Sequence, residues 1–172
     1  EFAQINPAQR PCLLQMERVV NCEITGTKWQ NAPYYHLNLR DIDNFEIHHM
    51  EIFVDVWKQQ NLMEFYGAWD YSINYPTFPL NTDGIDPAGS NIYIHDCKIT
   101  NFDDAVAVKP GHSNNQVATC AETILVENME VVFGVGMTIG SVPPSNHYAC
   151  VRDVTFRNID FKYPIKAVYV KT

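Results

Sequence analysis

The sequence predicts an all-β chain wound as a parallel β-helix, and three observations carry that expectation. Short segments alternate apolar and polar residues with period 2, the mark of half-buried strands. These segments resemble one another at a regular spacing, the mark of a repeat architecture. No stretch carries the 3.6-residue apolar period of an amphipathic helix. An antiparallel sandwich also contains many short strands, but nothing in that fold calls for a fixed repeat length.

The repeats can be followed in order. A weak first copy runs from Arg18 to Ile24. Four clearer copies each open on a polar turn residue: Asn44 to Ile52, Asn91 to Ile99, Thr123 to Val131 and Asp153 to Phe161. A second set of short strands accompanies them at His36–Leu39, Ala105–Val108, Gly136–Ile139 and Ala167–Val170. Val106 and Met137 are 31 residues apart, and so are Met137 and Val168. At roughly 20–45 residues per repeat the chain accounts for about six coils. Residues 1–172 therefore read as part of a single β-helix domain, lacking terminal coils. Open coil ends leave strand edges unpaired, so the free chain is expected to be poorly soluble or oligomeric.

One segment breaks the rhythm. An insertion over 57–80 carries Trp57, Phe65, Tyr66, Trp69, Tyr71, Tyr75 and Phe78, punctuated by Pro76 and Pro79. Flat rings beside a cleft suit the faces of sugars, with Trp69 and Tyr71 the better contact candidates. The same rings also suit packing of the loop onto the solenoid's flank, and both readings stay open.

Composition removes several classes of function. With 46% AVILMFWYC residues, Tyr 9, Phe 9 and Trp 3, the chain can build a core and is not disordered. No apolar run approaches the roughly 18 residues of a membrane span. A net charge of −8 argues against nucleic acid, whose binding needs a basic face. Glu1 to Pro7 has neither the basic nor the apolar region of a leader peptide. The five cysteines (Cys12, Cys22, Cys97, Cys120, Cys150) form no CxxC pair, which argues against zinc. His48 and His49 fall on alternating faces of one strand and are not expected to chelate a metal. His112 and His147 read as solvated loop residues.

Two acidic runs carry the chemistry: Asn81-Thr82-Asp83-Gly84-Ile85-Asp86 and Asn101-Phe102-Asp103-Asp104. They lie about one coil apart, and equivalent positions on neighbouring coils are roughly 4.8 Å apart. Asp83, Asp103 and Asp104 should therefore form one compact group. Like charges this close repel and push one another's acidities apart, so the fold has no structural use for the group. Glycosidic hydrolysis does have a use for it, since one carboxyl protonates the leaving oxygen while another activates water. In inverting enzymes such groups stand roughly 6.5–9.5 Å apart. Clustered aspartates are equally apt for Ca²⁺, which on this scaffold would mean a polysaccharide lyase. A non-catalytic carbohydrate-binding β-helix is the third reading.

The ordered set of runs 78–86, 101–108, 134–141 and 167–172 resembles glycoside hydrolase family 28, the polygalacturonase family. The likeness is greatest to its fungal-type exopolygalacturonase-like members. It covers residues 78–172, whereas the first 77 match in strand pattern alone. The resemblance implies a right-handed parallel β-helix of the pectin lyase-like kind, secretion to the extracellular space, and no metal or other cofactor. It also implies inverting hydrolysis of α-linked galacturonate bonds in pectin. By motif match Asp103 is the general acid, Asp83 and Asp104 hold the attacking water, Asn81 orients the first carboxylate, and Lys171 binds a substrate carboxylate.

The chain departs from the family pattern twice. Val135 stands where the family carries the histidine of Gly-His-Gly, and Tyr169 where it carries the arginine of Arg-Ile-Lys. Losing a bidentate guanidinium weakens recognition of a galacturonate carboxylate. Exo action, or a rhamnogalacturonan or xylogalacturonan substrate, is accordingly expected. Tyr169 and Lys109 are counted with Asn81 and Lys171 as substrate-binding residues. A polyanionic substrate on an acidic protein requires local positive contacts, expected from Lys171 with Lys109 or Lys166, and better activity at mildly acidic pH. In a secreted enzyme Cys120 and Cys150, which bracket the Gly134 coil, are candidates for a disulfide. Cys12 and Cys22 read either as a pair or as core ladder residues, and the facing of Cys97 is open.

Overall fold

The computed structural model describes residues 9–58, 80–111, 113–114, 117–142 and 149–172. The first strands are β1 (Leu14–Glu17), β2 (Val20–Thr25), β3 (Lys28–Gln30), β4 (Leu37–His48) and β5 (Glu51–Phe53). Next come β6 (Ile85–His95), β7 (Lys98–Thr100), β8 (Asp104–Val108), β9 (Ser113–Asn114) and β10 (Val117–Ala118). The last are β11 (Cys120–Gly134), β12 (Gly136–Gly140), β13 (Cys150–Val151), β14 (Val154–Pro164) and β15 (Val168–Lys171). Apart from the small β9–β10 hairpin, every pairing among the described strands is parallel. The antiparallel sandwich is thereby excluded, and the chain is an all-β parallel β-helix.

Three columns of apolar side chains build the core. In the first, Leu14, Leu37, Ile85, Val106, Met137 and Val168 stand in consecutive register. The 31-residue spacing read between Val106, Met137 and Val168 is thus one turn of the solenoid. In the second, Cys22, Phe45, Ile92, Ile124 and Val154 stack. In the third, Trp29, Ile52, Ile99, Val131 and Phe161 stack. Most of these side chains are fully buried in one contiguous cluster. Removing one of the larger, such as Phe45, would cost about 3–5 kcal/mol. Val168 and Val170 are exposed, because β15 pairs on one side alone among the described strands, with β12.

The corners explain the polar residue that opens each repeat. Asn21, Asn44, Asn91, Thr123 and Asp153 all adopt a left-handed φ of 51–58°. A second corner repeats the device with Gly26, His49, Asp96, Asn128 and Asn158. Asparagine, aspartate and glycine tolerate this conformation best, so the chain turns between faces without losing register.

His49 occupies a left-handed corner rather than the strand, so His48 and His49 do not point to alternate faces. Their Nδ1 atoms are 2.6 Å apart. Cys120 and Cys150 are register partners and are joined by a disulfide. Cys97 is buried in the core, and Cys12 and Cys22 are free thiols. Cys22 faces Phe45 in the ladder and packs on the core. In the 57–80 insertion, Trp57 is half exposed and meets Phe133 and Tyr163 edge-on. Phe65, Tyr66, Trp69, Tyr71, Tyr75, Pro76, Phe78 and Pro79 lie outside the described residues, as do His112 and His147.

Candidate active site

The two acidic runs enter adjacent strands of the first column, and the ladder continues through them. The N–H of His36 donates to the carbonyl of Asp83 (2.9 Å), that of Gly84 to Asp104 (2.9 Å), and that of Val135 to Asp103 (2.8 Å). Side chains stitch the runs together from behind. Asn101, wholly buried, donates from Nδ2 to the carbonyls of Thr82 (3.0 Å) and Asp104 (2.7 Å). The N–H of Phe102 donates to Thr82 Oγ1 at 3.0 Å. Gly134 closes the back of this seam with φ +119°, and a Cβ there would lie 2.3 Å from Asn101 Oδ1 and 2.8 Å from the Asp103 carbonyl.

Asp83, Asp103 and Asp104 come together, each offering an oxygen within 4.8 Å of the others. Their surroundings differ. Asp103 accepts two main-chain hydrogen bonds, from Asp104 N–H to Oδ1 (2.9 Å) and from Asn81 N–H to Oδ2 (2.7 Å). Asp104 is wholly buried; its Oδ1 accepts from Thr138 Oγ1 (2.6 Å) and the Tyr169 hydroxyl (2.7 Å), and its Oδ2 lies 3.8 Å from Lys171 Nζ. Asp83 is buried too, with Oδ2 3.9 Å from Lys109 Nζ. Burial first, then the charges of Asp86 and Asp103, push Asp83 well above the usual carboxylate range. Burial also raises the Tyr169 hydroxyl, with Asp104 adding to it, so Tyr169 remains a proton donor to that carboxylate.

The Asn81 side chain turns to Arg10, whose Nη2 donates to its Oδ1 at 3.3 Å, while Arg10 Nη1 donates to the carbonyls of Leu80 and Pro33. Its main-chain N–H, not its amide, meets a carboxylate. Lys171 is more exposed than Lys109, 43% against 26% for the side chains. The Lys166 ammonium lies over the Tyr169 ring, 4.2 Å from its centroid. Lys109 turns inward, 3.3 Å from Asp86 and 3.9 Å from Asp83. The spacing of the trio is also tighter than the separation usual for an inverting pair, so the distance itself carries no stereochemical assignment.

Sequence reasoning passed over Asp86, Thr138, Asn101 and His36. Asp86 is 1% exposed, and burial drives its carboxyl up to about 7 although Lys109 pulls it down. Thr138 was recoverable from the repeat, since it shares a rung with Ala107 and Tyr169. Nothing in the composition of the runs marked His36, which lies one coil earlier.

A parallel β-helix that presents a carboxylate trio at the mouth of one sheet is the architecture of carbohydrate-active solenoids. The sequence model for glycosyl hydrolases family 28 matches residues 3–172, and the chain belongs to that family. Similar proteins include a probable polygalacturonase of Arabidopsis thaliana, 26% identical over 95% of this chain and 29% of the relative. A probable endo-xylogalacturonan hydrolase A of Aspergillus flavus is 28% identical over 100% of this chain and 36% of the relative. Rhamnogalacturonase A of Aspergillus niger is 30% identical over 87% and 26%. The chain thus spans about a third or less of the length of these curated relatives. No solved structure matches.

Proposed function

We propose that the protein belongs to a glycoside hydrolase that cleaves galacturonate-containing backbones of pectin by acid/base hydrolysis. The observation that carries this reading is the carboxylate trio, set within 4.8 Å on two adjoining coils with distinct partners for each member. Asp103 is the general acid and gives its proton to the glycosidic oxygen as the bond from that oxygen to the anomeric carbon breaks. Of the trio it keeps the greatest exposure, 8% against 3% for Asp83 and 0% for Asp104, which suits a group that must reach the substrate. Asp83 and Asp104 orient a water molecule; its oxygen bonds to the anomeric carbon and its proton passes to one of them. Family membership supports inversion, which makes the product's anomeric configuration opposite to that of the bond cleaved.

Lys171 and Lys166 supply the positive charge toward a polyanionic chain. Tyr169, occupied with Asp104 and Lys166, cannot replace a guanidinium, which favours a neutral sugar or a substituted galacturonate at one subsite. Exo action is the mode the missing arginine supports. The protein acts outside the cell, a reading supported by the Cys120–Cys150 disulfide. Among the described residues no helix is long and apolar enough to cross a membrane.

Incubation with polygalacturonate, xylogalacturonan and rhamnogalacturonan, with products resolved by chromatography, tests substrate and mode together. Monomer release supports exo action, whereas a ladder of oligomers replaces it with endo action. An unsaturated, ultraviolet-absorbing product dependent on Ca²⁺ would turn the assignment to a lyase. Binding without any new reducing ends would leave a carbohydrate-binding protein.

A further inference from the structure

Lys109 is poorly placed to meet a substrate carboxylate. Its N–H donates to the carbonyl of Pro87 at 2.9 Å, so its backbone is fixed beside Asp86 on the neighbouring coil. Its ammonium lies between Asp86 Oδ2 (3.3 Å) and Asp83 Oδ2 (3.9 Å). The ring of Tyr35 lies on a further side, 6.0 Å from Nζ to the centroid. Asp86 is 1% exposed, and apart from this ammonium neither of its oxygens has a partner among the described residues. A buried carboxylate with no other partner is held in place by the charge beside it.

We propose that Asp86 and Lys109 are positioning residues: Asp86 anchors the ammonium from behind, and the ammonium fixes the orientation and charge of Asp83. This rests on the hydrolytic reading of the trio and removes Lys109 from the substrate-binding set. The groups facing the pair come from every neighbouring coil. Asp103 and Asp104 lie across the trio, Tyr35 and the Cys12 thiol on the preceding coils, and Lys171 and Tyr169 behind Asp104. Four buried carboxyls thus share two ammoniums. Burial opposes the charge on Lys109, but Asp86, Asp83 and Asp104 outweigh it and raise its pKa above the ordinary lysine value. The lysine stays charged, and burial holds both Asp83 and Asp86 above the usual carboxylate range. Without the ammonium Asp83 would hold its proton to higher pH, and a protonated Asp83 cannot orient the attacking water.

The test uses the 172-residue chain with Lys109→Met, Asp86→Asn, the double variant and Lys109→Arg. Aspartate carboxyl carbons are titrated by NMR in each, and kcat and KM are followed against pH on the pectic substrate. Lys109→Met is expected to lower kcat about tenfold or more with KM held within about twofold. It should also move the ascending limb of the kcat profile, and the Asp83 titration, to higher pH. Asp86→Asn should move the Asp83 titration down. The double variant, which removes one charge of each sign, should return that titration toward the unaltered chain, and Lys109→Arg should rescue in part. A raised KM with an unmoved pH profile in Lys109→Met would make Lys109 a substrate contact and overturn the proposal. An Asp83 titration unmoved in both single variants would overturn it as well. If the unaltered chain cleaves none of the substrates, the hydrolytic reading falls separately, and the carboxyl titration still decides whether the pair governs Asp83.

Discussion

His36 donates a hydrogen bond from Nδ1 to the carbonyl oxygen of Asp83 at 3.0 Å, and its Nε2 accepts one from the N–H of Ala32 at 3.3 Å. Both ring nitrogens are therefore committed, and the ring is neutral with its proton on Nδ1. A buried imidazole of this kind works as a bracket. It grips the peptide that carries one proposed water-holding carboxylate and ties it to the coil before.

Replacing His36 with leucine should cost about 1–3 kcal/mol, because the N–H of Ala32 loses its acceptor and the Asp83 carbonyl loses one of its donors. The effect has a pH signature. Burial lowers the His36 pKa, so its contribution is complete above the ordinary value of about 6.5 and lost as pH falls below it. Chemical denaturation at several pH values should show the His36→Leu deficit shrinking toward acid; a constant deficit would mean that the ring does not titrate in that window.

Asp86 should act in the opposite sense. Its folded value of about 7 lies above the roughly 3.9 of an unfolded aspartate. The stability it contributes is complete below the unfolded value and lost as pH rises through the folded one. Asp86→Asn should gain stability relative to the unaltered chain progressively between about pH 4 and 7. Thermal unfolding curves that run parallel across this range would remove the assignment.

Thr138→Val deletes one of the two hydroxyl donors on Asp104 Oδ1 while keeping the shape of the side chain. A hydrogen bond to a charged group is worth roughly 1.5–3 kcal/mol, so kcat should fall about 10- to 100-fold with an unchanged thermal midpoint. Tyr169→Phe should behave alike. A fall in midpoint as large as that in rate would make these residues part of the scaffold alone.

Gly134→Ala forces a Cβ against Asn101 Oδ1 and the Asp103 carbonyl at a left-handed φ. Backbone strain of this kind costs of order 1–3 kcal/mol, and relief by moving Asn101 would loosen both acidic runs. Loss of reducing-end release with folded-state circular dichroism retained is the expected result; full activity would show that the seam yields without disturbing the trio.

Reduction of the Cys120–Cys150 bridge, 30 residues apart, should lower stability by about 2–4 kcal/mol through the loop it closes. A Cys120→Ser, Cys150→Ser double variant with an unchanged denaturation midpoint would argue against any stabilising part for it.

Much of the fold was legible because a solenoid writes its period into the chain. Asn44, Asn91, Thr123 and Asp153 open their repeats for a conformational reason, and the apolar alternation behind them is the core itself. The carboxylate trio was legible for the same reason, since one coil of separation became one ladder spacing. Less could be seen of groups whose role depends on what faces them from another coil. Asp86 reads as one more acid of its run, because burial, not sequence, leaves it with a single cation. Lys109 reads as a substrate contact until the side chain is seen to fold inward. His36 appears as the first residue of a strand, with nothing nearby in sequence to reveal the peptide it holds.

The columns keep their order although the chain between rungs varies greatly. From Cys22 to Phe45 is 23 residues, from Phe45 to Ile92 is 47, from Ile92 to Ile124 is 32 and from Ile124 to Val154 is 30. Rungs are thus counted in space and not along the backbone. Extra length is discharged at the corners, where it leaves the neighbouring rungs in place. A protein built this way can exchange the segments between its rungs while its aspartates stay where they are. Between Phe45 and Ile92, where this column has the most residues between successive rungs, the two rungs still stand in register.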